Sequence, residues 1–159
     1  MNSAISTRLR SLGEAVPGLR AIFSSLSSAH AAFQAAGALR FISVSDMSER
    51  DTIEATFHGT RIKFQLICAL SAEGKPIGHV VCMHCHCTFG TAVQDYLGDF
   101  SYDTEGLTLP DGQQSDDNSL KATRIVMRFL EAALHASTAL GRNKAGPVAP
   151  GVHEIRSAP

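Results

Sequence analysis

Residues 52–70 carry the pattern that most constrains the fold of this chain, because apolar and polar side chains alternate on both sides of the pair His58-Gly59. Alternation with a period of two is typical of β-strands that bury one face. A glycine that adopts positive φ freely makes the pair suitable for a two-residue hairpin turn. The register set by such a turn pairs Ile53 with Phe64 and Glu54 with Lys63. Apolar partners and oppositely charged partners therefore support the same hairpin.

Apolar residues with helical spacing flank the strand-forming region on both sides. Before it, they predict two helices that are separated at Pro17-Gly18, because proline disrupts the interior of a helix. After it, a broad apolar stripe predicts a long helix that is capped by Asp116 or Asp117 and ends at Gly141.

Shorter runs of alternating residues predict further strands around the hairpin. They lie at residues 41–44, 77–87 and 96–103. In the last of these runs, alternation places Tyr96 on the same side as Phe100. The elements together predict an α+β fold with two N-terminal helices, a four- to five-stranded antiparallel β-meander and a long C-terminal helix. The helices are expected to pack on one face of the sheet.

A chain of 159 residues is long enough for one domain with its own hydrophobic core. We expect a single α+β domain at residues 1–141. Residues 142–159 contain three prolines and no apolar periodicity, which predicts a flexible C-terminal tail.

Charge and composition restrict the expected partners and compartment. The net charge of −1 argues against a protein that is held to nucleic acid or an anionic membrane by bulk charge. No apolar run is long enough to span a bilayer, so no membrane association is expected. The start of the chain lacks the apolar core of a signal peptide, and we expect a cytoplasmic protein with reduced thiols. Its Arg-, Ser- and Ala-rich composition resembles a mitochondrial presequence, but the long apolar periodicity favours a pair of helices.

The run Ile77–Cys87 (IGHVVCMHCHC) concentrates the chemically reactive side chains, with three of the four cysteines and three of the seven histidines. As a strand it has two choices of buried face, which differ by one residue in register. One choice buries two imidazoles that would each need hydrogen-bond partners, whereas the other buries only apolar groups and thiols. We therefore predict that the core receives Ile77, Val81, Met83, Cys85 and Cys87, and that the open face receives Cys82, His84 and His86.

The favoured functional hypothesis is a small, soluble, non-catalytic binding or protein-interaction module that uses the open polar face of the sheet. The expected binding residues are Arg61, Lys63, Cys82, His84 and His86. Their cationic character fits an unidentified protein partner or a small anionic ligand, and no cofactor is expected. Nucleic acid is not expected either, because this face lacks the aromatic side chains that stack on bases.

A first alternative is a small metal-binding protein of the zinc type. Its ligands would be Cys82, His84 and His86, with Asp99 from the next strand as a fourth. These are the side chains that bind zinc, although strand alternation sends the other two cysteines of the run to the opposite face.

A second alternative is a thiol-dependent enzyme with Cys82 as the nucleophile and His84 as its base. Residues two apart on a strand are separated by about 7 Å, so proton transfer would require the two side chains to lean together. No motif of a known catalytic class accompanies the pair, and an enzyme is therefore the less favoured interpretation.

Overall fold

The structure of the protein is a computed structural model that describes residues 3–47, 50–109 and 115–143. Within the last range, the side chains of residues 138–143 are not described. Most of the predicted tail, residues 144–159, lies outside the described residues.

Five antiparallel strands form one sheet in the order of the chain, as a meander. They are β1 (Ile42–Met47), β2 (Thr52–Phe57), β3 (Thr60–Leu70), β4 (Pro76–Thr88) and β5 (Thr91–Tyr102). The predicted hairpin is confirmed, since Ile53 pairs with Phe64 and Glu54 with Lys63. Both turn residues have positive φ, 45° at His58 and 83° at Gly59, as a two-residue type I′ turn requires.

The N-terminal helical region consists of α1 (Ser3–Ser24), a 3₁₀ turn (Ser25–Ser28) and α2 (Ala29–Ala35). The predicted break at Pro17-Gly18 is wrong, because α1 continues through Pro17. The helix instead changes geometry in a serine cluster, where the Ser25 hydroxyl donates to the carbonyl of Ile22 at 2.6 Å. Hydroxyls that bond to the preceding turn compete with the backbone hydrogen bonds of a helix, which explains the position of the break.

The C-terminal helix α3 (Asn118–Asn143) is capped by Asp117, one of the two predicted caps. The Asp117 carboxylate accepts hydrogen bonds from the backbone N–H groups of Ser119 at 2.8 Å and Leu120 at 3.3 Å. The helix runs two residues beyond its predicted end at Gly141.

The hydrophobic core lies between one face of the sheet and the helices, and this arrangement confirms the predicted α+β architecture. The sheet contributes fully buried side chains from β2, β3 and β4, and the helices contribute a matching layer from α1, α2 and α3. The largest of them are Phe23, Phe33, Phe64, Leu19, Ile53, Ile62 and Ile125. None of the helices in the described residues combines the length and the apolarity needed to cross a bilayer.

The predicted face assignment of β4 is wrong by one residue. Val80, Cys82 and His84 lie on the core face of the sheet. Val81, Met83 and Cys85 lie on the other face, where Cys85 is nevertheless buried. The register is fixed by the turn before β4, in which the Ser71 N–H donates to the carbonyl of Lys75 at 2.8 Å. Because side chains alternate along a strand, a shift of one residue moves every one of them to the other face.

Gly78 shows why this register packs well. It lies opposite Tyr102 on the core face, and a side chain at this position would overlap the tyrosine ring. The ring therefore reaches the helical layer, where its hydroxyl donates to the carbonyl of Leu19 at 2.6 Å. This bond ties β5 to α1.

Candidate functional site

His84 and His86 lie two residues apart on β4, and strand alternation places both imidazoles on the core face near the end of the sheet. Their ring centroids are 5.0 Å apart. Only 4% of His84 is exposed to solvent, whereas 23% of the His86 side chain is exposed. The pair therefore extends from the edge of the core towards the surface.

Asp95 reaches this pair because of a β-bulge in β5. The pairing of β4 with β5 shifts between Cys82, which lies opposite Gly98, and Met83, which lies opposite Tyr96. The extra residue is Leu97, and it follows that His84 lies opposite Asp95 rather than opposite Tyr96. Bulges re-aim side chains in this way, and the φ of 147° at Gly98 is one that glycine adopts readily.

The two imidazoles and the Asp95 carboxylate converge on one point. One ligand atom from each of the three residues lies within 4.8 Å of the other two. His86 Nδ1 is 3.5 Å from Asp95 Oδ2, which is long for a hydrogen bond. The ligand atoms of a tetrahedral zinc ion are about 3.4 Å apart, since the bonds to nitrogen and oxygen are ~2.0–2.1 Å long. Small rotations of the partly exposed His86 and Asp95 side chains would bring the three ligand atoms from a spacing of up to 4.8 Å to the spacing that zinc requires.

The hydrogen bonding of the site is incomplete. Nδ1 of His84 and Nδ1 of His86 are both buried and have no hydrogen-bond partner among the described residues. Buried polar atoms are satisfied in the great majority of proteins, so each unpaired atom calls for a physical explanation. An ion bound between these side chains would supply one, because a metal accepts the lone pair that an imidazole nitrogen offers.

The protonation state of His84 suits metal binding. Burial lowers the pKa of His84, the neighbouring His86 lowers it further, and Asp95 acts in the opposite direction. The imidazole is therefore neutral near pH 7, which is the form that coordinates a metal.

The structure brings together two of the four predicted metal ligands. Cys82 is fully buried in the core and does not join the convergent group, and burial raises the pKa of its thiol. Asp99 lies on the open face opposite Val81, where it accepts a hydrogen bond from the Tyr96 hydroxyl at 2.8 Å.

The sequence interpretation missed Asp95 and placed Tyr96 with Phe100, because it contained no bulge. Gly98 is the signal that could have indicated one, since glycine within a strand often marks a bulge.

The five predicted binding residues do not form one surface. Arg61 and Lys63 lie on the open face, opposite Cys85 and Met83. The other three residues of that set, Cys82, His84 and His86, lie on the core face. The predicted pairing of the basic side chains with the imidazoles is therefore wrong.

A second polar cluster, on the open face, was not predicted. His79 Nδ1 is 3.0 Å from Ser101 Oγ, and His79 Nε2 is 3.7 Å from Asp99 Oδ2. The three residue types are those of a nucleophilic triad, but the distance from His79 to Asp99 exceeds a hydrogen bond. The cluster also lies on an exposed face of the sheet, where water would compete for every contact. We interpret it as a polar surface network.

Comparison with protein-family models, with curated proteins and with solved structures finds no match to this chain. The geometry of the His84, His86 and Asp95 group is therefore the basis for the functional proposal.

Proposed function

We propose that this protein binds a divalent transition-metal ion of the zinc type through His84, His86 and Asp95. The observation that carries the proposal is the convergence of a carboxylate with two imidazoles whose buried Nδ1 atoms have no hydrogen-bond partner among the described residues. Three protein ligands leave a fourth position of a tetrahedral ion open to water or to another ligand. The half-exposed Asp95, with 49% of its side chain accessible, gives an ion a route from solvent.

The donor atoms favour a transition metal over calcium or magnesium. Calcium and magnesium prefer oxygen ligands, whereas imidazole nitrogen suits zinc, copper, iron and nickel. Two nitrogens and one oxygen therefore fit an ion of the second group. A direct titration with Zn²⁺, and with Mg²⁺ for comparison, separates the two classes.

The test is calorimetric titration of Zn²⁺ into protein that has been purified without a histidine tag. We expect one ion per chain, with affinity lowered more than about 100-fold by His86→Ala, beyond the ~10–100-fold typical of changes outside the ligand set. His79→Ala is the matched control, because His79 lies on the same strand but on the open face. Equal affinities of the two variants would overturn the proposal, as would the absence of Zn²⁺ binding.

The affinity should also fall as the pH decreases. An unperturbed imidazole binds a proton near pH 6.5, and protons compete with the ion for the same nitrogen. A complex that became tighter in acid would be inconsistent with imidazole ligands.

The use of the open face as a binding surface stays a prediction. Of the five residues expected to bind there, Arg61 and Lys63 are the two that lie on that face. We also propose a reducing compartment such as the cytoplasm, because all four cysteines are free thiols.

A further inference from the structure

The first turns of α1 expose an apolar stripe. Ile5 is 57% exposed and Leu9 is 60% exposed, and the partly buried Leu12 continues the same side of the helix one turn later. Ala15 is the first residue of α1 that packs against the core, and Leu19 is the first that is fully buried. The N-terminal half of α1 therefore presents apolar anchors at the spacing i, i+4, i+7 that helices use to dock in grooves.

An apolar groove lies at the other end of the molecule. It has a volume of about 370 Å³ and is lined mainly by Leu39, Phe57, Met127 and Leu134. Among the described residues, the lining includes one charged side chain, Glu131. A groove of this composition suits an apolar helix face that carries a cation at its edge.

The stripe and the groove of one chain cannot meet. Arg8 of α1 lies over the turn between β3 and β4, where a side-chain carbon on Gly74 would be 3.5 Å from Arg8 Nε. Phe57 lies beside the turn at the opposite end of β3. The 11 residues of β3 separate these ends by roughly 36 Å, at about 3.3 Å per residue. The α1 stripe that fills this groove must therefore belong to another molecule.

We propose that the N-terminal half of α1 docks into the groove of a second copy of this chain, and that the second copy does the same in return. Two complementary patches at opposite ends of a chain are what a two-fold axis between antiparallel copies brings together. Such an interface is closed, so it produces a dimer rather than a fibre. Charge favours the same pairing, because residues 3–13 contain Arg8 and Arg10 and no acid, whereas the groove contains Glu131.

The proposal is independent of the metal site, and sedimentation equilibrium of the full chain tests it. The wild-type protein should approach twice the 16.9 kDa mass of one chain as its concentration rises. Leu9→Glu in the stripe and Leu134→Glu in the groove should each weaken the dimer at least about 30-fold, the effect of losing one interface hot spot. Leu120→Glu is the matched control, since Leu120 is 40% exposed on the same helix as Leu134, which is 39% exposed, but lies outside the groove. This control variant should remain dimeric, and circular dichroism should show that all three variants are folded.

Mixing the two disruptive variants gives the sharpest result. A pair made of one Leu9→Glu chain and one Leu134→Glu chain retains one intact contact, from the normal stripe of the second into the normal groove of the first. We therefore expect the equimolar mixture to form more dimer than either variant alone. A mixture that stays as monomeric as its components would overturn the reciprocal arrangement.

A wild-type chain that stays monomeric up to its solubility limit would also overturn the proposal. If deletion of residues 144–159 then produced a dimer, those residues rather than a second copy would be the occupant of the groove. If the wild-type dimer survives that deletion, the assignment of the groove to α1 is supported.

Discussion

Asp95 lies directly opposite His84 because a bulge at Leu97 shifts the pairing of β4 and β5 by one residue. Without the bulge, Asp95 would lie opposite Cys85 on the open face, and the two imidazoles would have no carboxylate beside them. The candidate metal site therefore depends on one backbone irregularity. Gly98, which follows the extra residue, adopts a φ of 147°.

Gly98→Ala should lower the free energy of unfolding by about 1–3 kcal/mol, because alanine is strained at this φ. The new methyl group would also lie 3.2 Å from Phe129 Cε1, which is tighter than an ordinary contact. Gly18→Ala is the control, because a methyl group at this helical position would have no neighbour within 4 Å. This change should raise the free energy of unfolding by about 0.5–1 kcal/mol. Urea unfolding measures both. Equal effects of the two changes would show that Gly98 is not required for the bulge.

The stability of the metal-free protein should fall as the pH drops below about 6.5. Burial lowers the pKa of His84 in the folded state, so between that lower pKa and 6.5 the unfolded chain binds more protons than the folded chain. In this window the free energy of unfolding therefore rises with increasing pH and falls as the pH is lowered. His84→Gln should flatten the decrease, as measured by urea unfolding with a chelator present. His135→Gln changes a side chain that is mostly exposed, and it should leave the loss of stability at low pH unchanged. An unchanged slope in His84→Gln would contradict the buried, neutral state of this imidazole.

The thiols should react with a maleimide in an order set by burial. Cys87 is exposed, Cys68 is partly buried, and Cys82 and Cys85 are buried. Burial raises the pKa of the Cys68, Cys82 and Cys85 thiols, which further slows their reaction because the thiolate is the nucleophile. Mass spectrometry of partially labelled, folded protein should therefore find Cys87 modified first. Early labelling of Cys82 would support the register predicted from sequence and contradict the structure.

Phe129→Ala should lower the free energy of unfolding by about 3–5 kcal/mol, the range for removal of a buried aromatic ring. The ring packs edge-on against Phe64, with centroids 5.7 Å apart, and lies 6.0 Å from Phe100. Leu120→Ala on the exposed side of the same helix should cost less than about 1 kcal/mol, as is usual for surface positions. A similar cost for both would mean that α3 does not bury the face that contains Phe129.

The fold was predictable because its patterns are redundant. The hairpin at His58-Gly59 is supported by turn chemistry, by apolar alternation and by the Glu54–Lys63 pair, and all of these are local in sequence. The N-cap at Asp117 is equally local. The break between α1 and α2 does not follow from the position of proline, because the serine hydroxyls that bond to the helix carbonyls determine where it lies.

The site was only partly predictable because it depends on tertiary register. His84 and His86 are two residues apart, so alternation alone places them on one face. Which face they occupy is decided by the turn before β4 and by the room that Gly78 gives to Tyr102. The choice of Asp95 over Asp99 is decided by the bulge, and a strand pattern without an inserted residue predicts the wrong acid.

The ligand set itself can be read by X-ray absorption spectroscopy at the zinc edge of the loaded protein. We expect a first shell of nitrogen and oxygen at ~2.0–2.1 Å, with the outer scattering of two imidazoles, because His84, His86 and Asp95 converge and Cys82 is buried away from them. His79→Ala should give the same spectrum, and Asp95→Asn a changed one. A sulfur atom at about 2.3 Å would contradict this assignment and identify a cysteine thiolate as a ligand.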